Sequence, residues 1–248
     1  MKKGITGLYF LILTFVLTFL IYKTLVLVNY RVEASAFGDI KYAFGDKIDI
    51  FNNADEIDEK EIQYQNIVYQ APVGDLVLTG KKQTVESYNI YSNQTETNQL
   101  KAMFKVGKID SLYNIFSSDD IFIYKFKLKN INRPKLLKKY TLNDSYDIIN
   151  YITNHHSDKV NIFSSTNKIK MNYFMKTFAF AIIPSSKIYL IGGDYKGYIY
   201  VLDDDNYYEV TLLYNDENYV FSFINPKDES YFKMADVKEF ISNVKYVK

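Results

Sequence analysis

Residues 188–224 read IYLIGGDYKGYIYVLDDDNYYEVTLLYNDENYVFSFI. Four runs rich in Tyr, Ile, Val and Phe stand out: Ile188 to Ile191, Tyr198 to Leu202, Tyr207 to Tyr214 and Tyr219 to Ile224. Residues of this kind suit a pleated, half-buried surface. Gly192 to Gly197, Asp203 to Asn206 and Asn215 to Asn218 separate the runs. Connections this short join antiparallel neighbours, because a parallel crossover needs about a dozen residues or more. The segment therefore predicts an antiparallel meander.

The flanks extend this reading. Phe178 to Ile183 reads as a further strand ended by Pro184. Ala235 to Tyr246 places Val237, Phe240, Ile241 and Val244 on one side of a helix. A helix following a meander packs on one sheet face, so the expected fold class is α+β.

Further upstream, Ile40 to Ile50, Ile67 to Gln70, Leu76 to Thr79, Thr84 to Ser92 and Leu100 to Val106 read as strands between polar clusters. Ile121 to Lys129 alternates cleanly. Phe122, Tyr124, Phe126 and Leu128 share one face, and Lys125, Lys127 and Lys129 share the other. Ser145 to Asn154 predicts a helix entered through Asn143 to Ser145, with Ile148, Ile149 and Ile152 on one side. Residues 167–175 fit either a strand or a helix.

The N-terminus is of another kind. Residues 4–22, GITGLYFLILTFVLTFLIY, carry no charge and follow Lys2 and Lys3. At about 1.5 Å per residue a helix of this length reaches roughly 30 Å, the hydrocarbon thickness of a bilayer. Its Leu, Ile, Phe and Val residues each contribute roughly −0.3 to −0.6 kcal/mol on insertion. The stretch predicts an uncleaved signal anchor. A competing reading is a signal peptide cut after Ala34-Ser35-Ala36, but the apolar run exceeds the roughly 7 to 15 residues usual for one. Lys2, Lys3 and the amine place the N-terminus in the cytoplasm and the remainder outside it, with Lys23 snorkelling to the headgroups.

The expected layout is a leader at 1–3, an anchor at 4–28, a stalk at 29–37, a β-rich part at 38–140 and an α+β part at 141–248. Lys2-Lys3-Gly4 followed by Ile5 resembles, in outline, the leader of type IV pilin-like subunits. Tyr9 stands where those families usually carry a glutamate, and the resemblance covers the first segment alone. It implies an assembly subunit of the cell envelope.

Composition narrows the chemistry. There is no Cys, which excludes disulfides, thiolate metal sites, cysteine nucleophiles and lipidation at cysteine. The net charge of +1 gives no global attraction to nucleic acid. His155 and His156 are the sole histidines; as neighbours they point in different directions, and their place between the expected helix and Ser157-Asp158 reads as a loop. Gly192-Gly193-Asp194 lacks a phosphate-binding pattern and reads as a turn. Asp203-Asp204-Asp205 lacks the spacing of a calcium loop. Asn93-Gln94-Thr95 and Asn143-Asp144-Ser145 fit the glycosylation pattern, but an Asn-rich chain produces such triplets by chance. No cofactor and no metal is expected.

What remains is surface. Lys125, Lys127 and Lys129 on a wet strand face, and Asp194, Asp203, Asp204 and Asp205 at hairpin tips, are the candidate binding residues. The leading expectation is a membrane-anchored, extracytoplasmic binding module with lipid and protein partners. Its sharpest form is an immunity or inhibitor protein against a toxin acting in the envelope. The alternatives are a structural subunit (pilin-like or division-associated) and a hydrolase with dispersed catalytic residues.

Overall fold

A computed structural model describes residues 2–35, 43–52, 61–72, 77–82, 88–94, 100–112, 114, 132–155, 158–182, 187–202, 206–226 and 229–247. Its strands are β1 (Ala43–Phe44), β2 (Ile48–Ile50), β3 (Ile62–Tyr64), β4 (Ile67–Tyr69), β5 (Val77–Lys82), β6 (Tyr88–Gln94) and β7 (Leu100–Ile109). They continue as β8 (Lys187–Gly193), β9 (Gly197–Leu202), β10 (Tyr207–Tyr214), β11 (Glu217–Ile224) and β12 (Lys245–Tyr246). The helices are α1 (Lys2–Ser35), α2 (Arg133–Lys139), α3 (Ser145–His155), α4 (Thr166–Ile182) and α5 (Met234–Ser242). The protein is α+β, with a long apolar N-terminal helix and a mostly antiparallel sheet domain. It divides into two units, one of residues 1–41, 119–140 and 152–184 and one of residues 42–118, 141–151 and 185–248.

The second unit is built on the meander. The large sheet has the order β1-β8-β9-β10-β11-β7-β6-β5, with β2 also pairing β8. Its ladders are antiparallel except at the edge, where β1 and β2 run parallel to β8. These two short strands follow one another along β8, against Lys187–Ile188 and then Ile191–Gly193. The expected strand Ile40 to Ile50 is thus broken at Gly45. A Cβ on Gly45 would fall 2.0 Å from the Tyr189 ring, so this close crossing requires glycine.

Period-two alternation fixes what each strand buries. Phe221 lies opposite Val210 and Val106, and Phe223 lies opposite Tyr208 and Phe104. All six are buried on one sheet face. Onto this face pack α5 and a small sheet of order β12-β4-β3. Phe240 of α5 sits 5.0 Å from the Phe221 ring, 5.2 Å from Phe104 and 5.3 Å from Phe223. Tyr69 of β4 closes the group edge-on to Phe104 and Phe221, each at 6.1 Å. These tilted and edge-on pairings are the favoured ones for aromatic rings.

The link from β11 to α5 is held by one buried amide. Asn225 Oδ1 accepts from the Phe232 N–H at 2.6 Å, and its Nδ2 donates to the Phe232 carbonyl at 2.9 Å. Asn225→Ala should strand both backbone groups and cost about 1–3 kcal/mol. Urea unfolding of the variant checks this, and a loss under about 0.5 kcal/mol would place those groups in contact with water.

The first unit is helical. Asn132 caps α2 by accepting from the Lys135 N–H at 3.1 Å. Ser165 caps α4, its Oγ accepting from the Lys168 N–H at 3.1 Å. Tyr30 of α1 lies against Tyr173 of α4 with ring centroids 5.1 Å apart.

Three local expectations need correction. The strand expected at Phe178 to Ile183 is helical through Ile182, because α4 runs unbroken from Thr166 to Ile182. The Ser165 cap and the absence of a breaker before Pro184 outweigh the β-propensity of its aromatic residues. The final helix ends at Ser242 rather than Tyr246. Lys245–Tyr246 instead pairs with β4, and Tyr246 stacks on Tyr214 at 4.0 Å. Lys23, expected to snorkel to the headgroups, is instead covered by protein: it is 5 % exposed and its ammonium donates to the Ser164 carbonyl. The strand expected at Ile121 to Lys129 lies outside the described residues.

Candidate functional site

The feature with the clearest chemical consequence is α1, which has two dissimilar halves. From Leu8 to Phe19 every side chain is exposed, whichever way it points. Over the apolar span Leu8–Tyr30, only Lys23, Leu27 and Tyr30 are buried. From Lys23 the helix changes character. Lys23, Leu27 and Tyr30 are buried, and their i, i+4, i+7 spacing makes one face. Leu25 and Val28, on other sides, remain exposed. The second half is a docked helix, continuous with a first half that is bare and apolar all round. Among the described residues this is the one helix long and apolar enough to cross a bilayer.

Of the acidic candidates, Asp194 lies among the described residues. Asp194 sits in the turn from β8 to β9 and is exposed. It is also engaged locally: Oδ2 accepts from the Asn52 N–H at 3.0 Å, and its own N–H donates to the Ile50 carbonyl at 3.0 Å. Gly193, at φ 82°, permits this close crossing over β2, where a Cβ would meet the Ile50 oxygen at 2.3 Å. Lys196 in the same turn bonds Asp144 at the entry to α3 and lies 3.8 Å from Asp147. Burial pulls the Lys196 ammonium down, but the two carboxylates outweigh it and raise it above its ordinary value. Asn215 and Asp216, both at positive φ, form the β10–β11 turn at this end of the meander. The link from Leu202 to Asn206 leaves from the opposite end. Asp203, Asp204 and Asp205, like Lys125, Lys127 and Lys129, fall outside the described residues.

A polar stripe on the other sheet face was not foreseen. Tyr200 lies opposite Glu209, and Glu209 opposite Ser222. Tyr207 donates its hydroxyl to Glu209 Oε2 at 2.6 Å and lies 3.2 Å from Ser222 Oγ. Tyr198 and Tyr200 are 5.1 Å apart. The Tyr200 hydroxyl is buried without a hydrogen-bond partner. Burial pushes the Tyr198 and Tyr200 phenols well above their ordinary range, so both stay neutral donors. The clue in the sequence was the alternation of Tyr198, Tyr200, Glu209 and Thr211 with apolar neighbours.

His155 Nδ1 lies 3.5 Å from Asp158, which also meets Lys168 at 3.2 Å. Lys168 holds the Asp158 carboxyl below its usual value. His156 lies outside the described residues. Among the described residues, no three His, Asp or Glu side chains are grouped to hold a metal ion.

Glu217 has a testable pH signature. The Lys108 ammonium and the Tyr219 hydroxyl both donate to it and hold its carboxyl below the ordinary 4.5. A carboxyl lowered on folding stabilises the native state above its unfolded value, and that contribution fades as pH falls through the folded value. Acidification below about pH 4.5 should therefore destabilise the protein more than it does Glu217→Gln. Urea midpoints across that range check this, and equal slopes would refute it.

Comparison with known proteins returns no matching family, no matching curated protein and no matching solved structure.

Proposed function

We propose that this chain is a single-pass membrane protein whose sheet domain lies outside the cytoplasm and binds another macromolecule. The observation that carries the reading is the change in α1 at Lys23. A helix bare and apolar on every side has lipid as its natural solvent, whereas a core helix would be covered by protein. Lys2 and Lys3 before the bare half favour a cytoplasmic N-terminus.

The binding edge in this reading is the meander end bearing Asp194 and the Asn215–Asp216 turn. That end is rigid: Asp194 is tied to β2, and the two-residue turn is the type that matches strand twist. The narrower form is an immunity or inhibitor protein that occludes a toxin acting in the envelope. Its support is analogy, since folds of this size without assembled catalytic groups serve such roles.

Co-expression tests it. A protein encoded beside this chain should kill cells in its absence, spare them in its presence, and co-purify with it. A neighbour that is harmless and does not co-purify rejects the narrower form. Replacing residues 4–22 by an unrelated apolar helix separates binding from assembly. A binding module keeps its protection, whereas a subunit assembling through that helix loses its function.

A further inference from the structure

Phe163 is 80 % exposed, more than Phe10 or Phe15 of the bare helix at 72 %. A lone exposed Phe needs no special account. Its position does. It stands in the turn Asn161–Ser164, which is closed on itself. Asn161 Oδ1 accepts from the Phe163 N–H at 2.9 Å and the Ser164 N–H at 3.1 Å, and Ser164 Oγ accepts from the Asn161 N–H at 3.0 Å. The turn is therefore preorganised, with the aromatic ring left in the open.

The level of that turn follows from two contacts within the same unit. Lys23 of α1 bonds the Ser164 carbonyl, and Tyr30 of α1 meets Tyr173 of α4. The two helices thus run in the same direction, with the start of α4 beside Lys23 and Tyr173 about 10 Å further along. Lys23 is the first charged residue after the bare apolar stretch. Of this helix pair, the end of α4 that faces the bare stretch is the one entered through the turn carrying Phe163.

From this we infer that the Asn161–Ser164 turn is a second membrane contact, with Phe163 seated at the headgroup–acyl boundary of the bilayer. The inference rests on α1 being the anchor. An aromatic body at this depth buries its apolar surface while the turn's polar backbone stays at the headgroups. Exposed Lys159, on the same loop, suits anionic lipid. The contact would fix the tilt of the helical unit on the membrane, which a single helix leaves free.

The chain has no Trp, so single-Trp variants of the full-length protein report position without background. Phe163→Trp, Phe15→Trp and Lys176→Trp are placed in phosphatidylethanolamine–phosphatidylglycerol vesicles whose lipids carry bromine near the headgroup or deep in the chain. Lys176, exposed and further along α4, is the water-facing control. Phe163→Trp should show blue-shifted emission and lose intensity to shallow bromine, Phe15→Trp to deep bromine, and Lys176→Trp to neither. Deep quenching of Phe15→Trp with water-like, unquenched Phe163→Trp overturns the second contact and leaves the anchor standing. Unquenched Phe15→Trp overturns the anchor and the second contact with it.

Discussion

Phe240→Ala should cost the sheet domain about 3–5 kcal/mol, the range for truncating a buried Phe where the site cannot collapse. Collapse is hindered because the ring is shared. Tyr69, Phe104, Phe221 and Phe223 all pack on it, and they come from β4, β7 and β11. No single element can move to fill the void without leaving another. A domain of this size is stable by roughly 5–15 kcal/mol, so the loss is a large fraction of the total. Lys238→Ala, exposed on the same helix, should stay within about 0.5 kcal/mol. Urea unfolding followed by near-ultraviolet circular dichroism measures both. A Phe240→Ala loss under about 1 kcal/mol would mean that α5 is not what closes the core.

Truncation at the N-terminus should divide sharply between two cut points. A chain starting at Lys23 keeps Lys23, Leu27 and Tyr30, the face that docks on α4. A chain starting after Ala36 loses them and uncovers Tyr173. Leu27 alone contributes about 2 kcal/mol by burial, and Tyr30 contributes comparably. The first truncation should be monomeric and helical, and the second should aggregate or lose helix. Size-exclusion chromatography and far-ultraviolet circular dichroism read the difference. Equal behaviour would show that α1 is dispensable once removed from the membrane. It would also restore the reading of a signal peptide cut after Ala36.

The meander was legible because its strands are runs of Tyr, Ile, Val and Phe and each connection is too short for a crossover. Its flanks were less so. Phe178 to Ile183 contains the same aromatic and branched residues as the true strands, and only the cap at Ser165 tells them apart. β1, β3 and β12 are two or three residues long, below what a period can register. The burial of Lys23 depends on a partner 141 positions away, which no local pattern encodes. The polar stripe around Glu209 was visible as alternation, but a strand that buries both faces reads like one that buries one. Among the candidate surface acids, Asp194 is tied to Ile50 and Asn52 of the β2 segment, a detail set by the crossing of β2 over Gly193.

The central claim is that α1 crosses the bilayer and carries the sheet domain to the far side. Because the chain has no Cys, Lys238→Cys on the exposed side of α5 supplies a unique thiol. A membrane-impermeant maleimide should label it in intact cells, and the labelled protein should stay with carbonate-washed membranes. Labelling only after lysis, or full-length protein in the soluble fraction, would contradict the account.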